Sequence, residues 1–302
     1  MAIVLSIAKL CFCHQFAVVV IKKYFALLFF GRLKYALVKL VMVVEVMKVA
    51  TWNVNSLNVR LPHVLDWLAE TQAEILCLQE TKQEDVKFPY QALLDAGYQA
   101  VHHGQKTYNG VAILSKYPIL DVQFDIPDFE DTQKRVIAAT IEDIRVVCAY
   151  FPNGQSVDSE KYQYKMHWLN QLMAWLQMEM QRYPQLMLLG DFNIAPDDKD
   201  CHDPAAWQGQ ILVSEPERLA FSQLISLGFY DSFRLFEEGG GHYSWWDYRM
   251  AAFRRNMGMR IDHILVSEML KQQCKSCWID KSPRKLDRPS DHTPVVLEIG
   301  VV

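Results

Sequence analysis

Five apolar residues, Leu186 to Gly190, follow Pro184 and Gln185 and end abruptly in Asp191-Phe-Asn193. A run of that length suits a strand buried on both faces, and a chain that holds such a strand must cover it above and below. Side chains at i and i+2 share one side of a strand, so Asp191 and Asn193 project together from its carboxyl end. In α/β sheets that end is where ligands sit. A carboxylate there must be solvated, paired or metal-bound, because an isolated buried charge costs too much. Taken alone, the pair reads equally well as an Asx turn capping the strand. The same design recurs at four other strand ends, and the recurrence tips the balance.

Taken in order, Lys48 to Trp52 is a strand closing on Asn53-Val-Asn55. Leu57 to Glu70 has helical spacing, with Pro62 tolerated in a first turn. Ile75 to Leu78 is a buried strand ending in Gln79-Glu80-Thr81. Gly97 to His102 and Val111 to Ser115 flank Tyr108-Asn109-Gly110 as a hairpin, and Val136 to Ile141 and Ile144 to Tyr150 form another around Glu142-Asp143. A long helix is expected from Asp158 to Arg182, with Met166, Leu169, Leu172, Met173 and Leu176 on its core face. After the central strand come a polar loop, Ala195 to Gln210, and a helix from Glu217 to Leu227 closed by Gly228. Arg260 to Val266 and Val295 to Ile299 complete the strands. Hairpins mixed with helical crossovers predict an α/β fold: two mixed sheets packed face to face with helices outside. With no low-complexity linker, residues 47–302 read as one domain.

Residues 1–46 read differently. They carry six cations against Glu45, a net of +5, so the chain's −4 leaves −9 for the remainder. Lys22 and Lys23 split the longest apolar run, which falls short of the ~18 residues of a membrane helix. No secretory signal is clear. Met47 precedes the first well-formed strand, so 1–46 is expected to be a leader outside the fold, included by a misplaced start. The acidic body excludes broad nucleic-acid coating through a basic surface, but it suits an acidic site offset by a divalent cation. Seven scattered cysteines, two of them in Cys274-Lys-Ser-Cys277 without further paired ligands, argue for a reduced cytoplasmic protein and against a zinc site.

Asn53, Asn55, Glu80, Tyr150, Asn153, Asp191, Asn193, Asp262, Asp291 and His292 all fall at strand ends. Oxygen ligands without paired Cys or clustered His favour a hard cation, Mg²⁺ or Mn²⁺, with Glu80 as anchor. Phosphodiester hydrolysis needs an aimed, deprotonated water and balanced phosphoryl charge. Asp191 can handle the water with Asn193 fixing it, and Asp262 against one nitrogen of His292 would favour the charged imidazole facing the phosphate. No Ser or Cys nucleophile motif and no Gly-rich phosphate loop is present, so direct attack by water is preferred.

Trp52-Asn53-Val-Asn55, Leu78-Gln-Glu80-Thr-Lys82, Asn109-Gly110, Ala149-Tyr150-Phe-Pro-Asn153, Gly190-Asp191-Phe-Asn193, Ser244-Trp245-Trp246-Asp-Tyr248, Arg260-Ile-Asp262 and Ser290-Asp291-His292 together resemble the exonuclease III / class II AP endonuclease family. The match runs in order from Lys48 to Ile299. The resemblance implies a four-layer α/β sandwich that hydrolyses DNA phosphodiesters with Mg²⁺, for which Mn²⁺ substitutes. It further implies a 3′-to-5′ exodeoxyribonuclease of base-excision repair with 3′-phosphatase and AP endonuclease activity, a monomer without a stable membrane partner. Its substrate would be double-stranded DNA with abasic sites or blocked or recessed 3′ ends. On that basis Asn53, Glu80, Asp191, Asn193, Asp291 and His292 are the candidate metal set. Tyr150, Asp191, Asn193, Asp262 and His292 are the catalytic set, and Asn55, Asn153 and Trp245 the substrate contacts. Trp245 falls where the family packs an aromatic against the abasic deoxyribose, while Trp246 reads as ordinary core or rim burial. The basic loops bearing Arg254, Arg255, Arg284, Lys285 and Arg288 suit a nucleic-acid backbone. The alternative is a lipid or inositol-phosphate phosphoesterase of the same superfamily, and bulk in Asp198 to Ser214 is expected to decide between internal cutting and end trimming.

Overall fold

The computed structural model describes residues 45–301. Along the chain run β1 (Glu45–Asn53), α1 (Leu57–Thr71), β2 (Ile75–Gln79), α2 (Tyr90–Asp95), β3 (Gln99–His103), β4 (Val111–Ser115), β5 (Leu120–Phe124), β6 (Val136–Ile141) and β7 (Ile144–Tyr150). The second half holds α3 (Glu160–Arg182), β8 (Leu186–Asp191), α4 (Pro204–Trp207), α5 (Glu215–Ser226), β9 (Phe229–Asp231), β10 (Asp262–Ser267), α6 (Glu268–Lys271), β11 (Cys274–Ile279) and β12 (Val295–Val301). The leader expected over 1–46 lies, up to residue 44, outside the described residues; β1 starts at Glu45, two residues before Met47, in register with Val301.

Two six-stranded sheets result, ordered β11-β12-β1-β2-β4-β3 and β5-β6-β7-β8-β10-β9. Each has one parallel pair at its centre, β1 with β2 and β7 with β8, and antiparallel neighbours elsewhere. The layering follows from residue alternation. Met47, Val49, Ile75, Cys77, Val111 and Ile113 of the first sheet meet Ile137, Ala139, Val146, Cys148, Met187, Leu189 and Ile264 of the second. The intervening residues face outward under helices. Ala50, Trp52, Leu76 and Leu78 pack on α1 through Val64, Trp67 and Leu68. Val147, Ala149, Leu186 and Leu188 pack on α3 and α5 through Trp168, Leu169, Leu172, Trp175, Leu176, Phe221 and Leu224. Strands apolar on both faces therefore fold as a four-layer α/β/β/α sandwich, as expected.

The hairpins, α1, α3, α5 and the core stripe of α3 stand where the spacing places them. Three differences have physical causes. Pro62 lies inside α1, beyond its first turn, which is possible because its neighbours on that face are exposed or half-buried. Met166 and Met173 only flank the α3 stripe, whose buried members include Trp168 and Trp175. β5, β9 and β11 lie at or beside sheet edges and carry short or polar sequences that give no strand signal.

Gly190 shows how tightly the centre is built. Its φ of +153° is one that L side chains rarely adopt, and a Cβ there would overlap the Ala149 carbonyl oxygen of β7. Gly190→Ala must push β8 off β7, and we expect a loss of about 3 kcal/mol in urea unfolding. A loss under ~1 kcal/mol would show that the two strands can part without cost.

Candidate active site

The topology brings separate stretches of sequence to one end of the sandwich. Asn53 ends β1 and pairs in parallel register with Gln79, whose successor is Glu80. Tyr150 ends β7 opposite Asp191 at the end of β8, and Asp262 opens β10 opposite the same Asp191. β12 is antiparallel to β1, so Asp291 and His292, just before it, arrive beside the β1 terminus. Strand carboxyl ends and strand starts thus converge because the two sheets stack with their parallel pairs aligned toward the same end.

The floor of the site is buried and densely hydrogen-bonded, with Asp262 Oδ1 left without a partner. The Asn53 side-chain amide donates to Glu80 Oε1 at 2.8 Å and to Asp191 Oδ2 at 2.9 Å, and its own oxygen accepts from the Asn55 N–H at 2.9 Å. Asp191 Oδ1 accepts from the Asn193 N–H at 2.9 Å, and the Asn193 amide reaches Asp191 Oδ2 at 3.3 Å and the Phe151 carbonyl at 3.1 Å. Asn153 donates to Asn193 Oδ1 at 3.0 Å. His292 places Nδ1 2.8 Å from Asp262 Oδ2 and Nε2 3.7 Å from Asp191 Oδ2.

Accessible groups form the rim. Glu80, Tyr150, Trp245 and Asp291 are half-buried and Asn153 is exposed. Asp291 accepts from Asn55 at 2.9 Å and from the Trp245 indole N–H at 3.0 Å. Trp246, by contrast, is fully buried, with its ring edge-on to Phe253. A cleft of about 680 Å³ opens beside Tyr150 and Asn153, lined among others by Tyr108, Arg135, Lys161 and Tyr164.

The electrostatics distinguish the members. Burial works to discharge His292, but the Asp262 and Asp191 carboxylates outweigh it and raise the imidazole to about 10, so it is a cation at neutral pH. Burial pushes Asp191 up to about 7, with His292 pulling against it and Asp262 adding to the rise. The pair holds its proton on His292, whose Nδ1–H Asp262 accepts. Asp291 is held below the usual carboxylate range: burial opposes this, but the His292 charge and the Asn55 and Trp245 donors prevail. Burial, with the nearby Glu80 and Asp191 charges, raises Tyr150 far above an ordinary phenol, so its hydroxyl remains a donor.

Among the described residues, ligand atoms of Glu80, Asp191 and His292 lie within 4.8 Å of one another, which suits a metal ion by proximity. Donor chemistry refines this. Glu80 offers an accessible carboxylate of 17% side-chain exposure, fitting an oxygen-preferring cation, whereas a protonated His292 has no lone pair to give. Asp291 stands apart from that group, and Asn53 and Asn193 turn their amide N–H groups toward the carboxylates.

Several contributors carried little or no sequence signal. Lys82, two residues after Glu80, pairs with it at 2.8 Å and donates to Asn55 Oδ1 at 2.6 Å. Arg135 lies 4.8 Å over the Tyr150 ring. Glu80 and Asn193 sit at φ of +51° and +50°, a left-handed backbone uncommon outside glycine and concentrated at functional sites. Arg284 corrects an expectation. It is buried, with its guanidinium 5.0 Å from the Phe253 ring and its N–H donated to the Ser290 carbonyl, so it braces the Ser290-Asp291-His292 turn; Arg254, Arg255, Lys285 and Arg288 remain exposed.

The sequence profile of the Endonuclease/Exonuclease/phosphatase family matches residues 50–292, a span that begins in β1 and ends on His292. Exodeoxyribonuclease III of Haemophilus influenzae is 36% identical over 266 residues, covering 83% of this chain and 99% of that protein. The chain belongs to this family, in its exonuclease III and AP endonuclease branch. Solved members of the branch share the architecture. A 3′ phosphatase from Neisseria, determined with product DNA hairpin, is 48% identical with a TM-score of 0.83, covering 84% of this chain and 100% of that one. An AP endonuclease from Archaeoglobus fulgidus is 39% identical with a TM-score of 0.82, covering 85% and 100%. No helix of the described residues is long and apolar enough to cross a membrane.

Proposed function

We propose that this chain is a DNA phosphodiester hydrolase of base-excision repair: a Mg²⁺-dependent 3′-to-5′ exodeoxyribonuclease with 3′-phosphatase and AP endonuclease activity. The observation that carries this reading is the Asn53-bridged pair of Glu80 and Asp191 beside the Asp262–His292 couple, in a family whose relatives include an exodeoxyribonuclease III. Glu80 would hold the cation, with Asp291 as a further carboxylate. Bound there, Mg²⁺ would supply positive charge to balance the phosphoryl oxygens.

The chain's own residues do the rest. Asp191 orients the attacking water and takes its proton, and Asn193, fixed by Asn153 and Phe151, sets the carboxylate's direction. The His292 imidazolium faces the phosphate, and the Tyr150 hydroxyl and Asn153 amide donate to its oxygens. Water adds at phosphorus, the bond to the leaving oxygen breaks, and no enzyme ester forms. Trp245, half-buried and tethered to Asp291, offers a face on which an abasic deoxyribose packs. The substrate is duplex DNA carrying abasic sites or blocked or recessed 3′ ends.

Two duplexes test the reading with Mg²⁺ present, one with an internal abasic analogue and one with a recessed 3′ end. Incision 5′ to the analogue and shortening of the recessed strand are both expected. Trp245→Ala should cut the first activity about tenfold, the scale of one lost stacking contact, and the second much less. Trimming alone would make this an end-processing exonuclease, and cleavage of neither duplex would defeat the proposal.

A further inference from the structure

Lys165, in the second turn of α3, is fully buried, and so is its partner Glu217 in the first turn of α5. An ammonium group has three protons to donate and rarely finds three partners in a protein interior. This one does. It meets Glu217 Oε1 at 2.5 Å, the Asn193 carbonyl at 2.7 Å and the Asn153 carbonyl at 3.4 Å. The other Glu217 oxygen accepts from the Ser214 N–H at 3.1 Å and the Ser214 hydroxyl at 2.6 Å, closing the capping box of α5. One ion pair therefore grips the backbone of both asparagines that set the direction of Asp191.

Stability does not explain such a pair. Withdrawing two charges from water is costly, and apolar residues of similar volume commonly replace a buried ion pair with no loss of stability. What lysine supplies, and an apolar residue lacks, is directed donors to the carbonyls of two neighbouring loops, one after β7 and one after β8. Burial holds Lys165 below the ordinary lysine range, and the Glu217 charge foremost, with Asp191 further off, works against that fall and favours the ammonium.

We propose that Lys165, held by Glu217, is a positioning residue that fixes Asn153 and Asn193 and through them the aim of Asp191. The inference rests on the reading of Asp191 given above. Its test uses the full chain and the recessed 3′ duplex with Mg²⁺. Lys165→Met/Glu217→Gln removes both charges together and leaves an amide oxygen for Ser214 to bond. We expect a fall in kcat of about tenfold or more, with KM for DNA within about threefold. In an Asn193→Ala background the same pair of changes should cost less than about threefold, because the residue acted through is already gone.

An unchanged kcat overturns the inference, and so do losses that simply multiply in the two backgrounds. If the first variant does not fold, Lys165→Met/Glu217→Leu, an apolar pair, is held to the same two criteria. Failure of the unaltered chain to cut DNA at all would instead defeat the proposed activity, so the two outcomes remain distinct.

Discussion

Asp191→Asn is expected to lower kcat about a thousandfold, ~4 kcal/mol of barrier, while leaving affinity for duplex DNA nearly intact. The substitution is almost isosteric, yet the site has no place for an amide. Asp191 accepts at both oxygens, from the Asn193 N–H on one side and from the Asn53 and Asn193 side-chain amides on the other. An NH₂ turned either way meets a donor already in place. The change therefore removes the proton acceptor and disturbs its orientation, and it also takes away one of the three carboxylates that keep His292 charged. Tyr150, Asn153, Trp245 and the exposed basic side chains are untouched, so binding measured by anisotropy of a labelled duplex should survive. Retention of more than about a tenth of kcat, a deficit of only ~1.4 kcal/mol, would mean that another group handles the water.

Much of this site was legible because its residues share a local grammar. An apolar run broken by an acid or amide, as at Leu189-Gly190-Asp191, announces a strand end, and period-two alternation says which polar neighbour points the same way. Trp246 was readable as ordinary burial, and it is fully buried. Less legible was what depends on tertiary context. Arg284 looks like a surface cation in a basic loop, but the aromatic rings of Trp246, Tyr248 and Phe253 surround it, and no one-dimensional pattern records that. Lys165 falls in a stretch of ordinary helix where a lysine is normally solvated. The left-handed backbone at Glu80 has no signature, because its support comes from the Ser56 N–H bonding the Glu80 carbonyl at 2.7 Å. β11 was missed for a related reason: beyond β12 it has no second neighbour, and its sequence is half polar.

Glu80→Gln separates a cation-holding carboxylate from a merely structural one. The structural alternative is specific: Glu80 is the salt-bridge partner of Lys82 at 2.8 Å, and such a pair could exist only to order the loop after β2. Half-exposed pairs of this kind contribute little to stability, so that role predicts a small effect and the same effect from either side. Glutamine preserves the oxygen that accepts from Asn53, and the backbone bonds that hold position 80 do not involve the side chain. The fold should therefore persist, with Tm shifted by no more than a few degrees. Turnover with saturating Mg²⁺ is nonetheless expected to drop about a thousandfold, and the heat of Mn²⁺ binding in calorimetric titration should disappear, because the accessible carboxylate of the Glu80–Asp191 pair is lost. Lys82→Met breaks the same salt bridge while leaving that carboxylate in place, and should cost less than about tenfold. Equal losses from the two substitutions, or unaltered Mn²⁺ binding by Glu80→Gln, would return Glu80 to the structural role and move the search for the cation to Asp291.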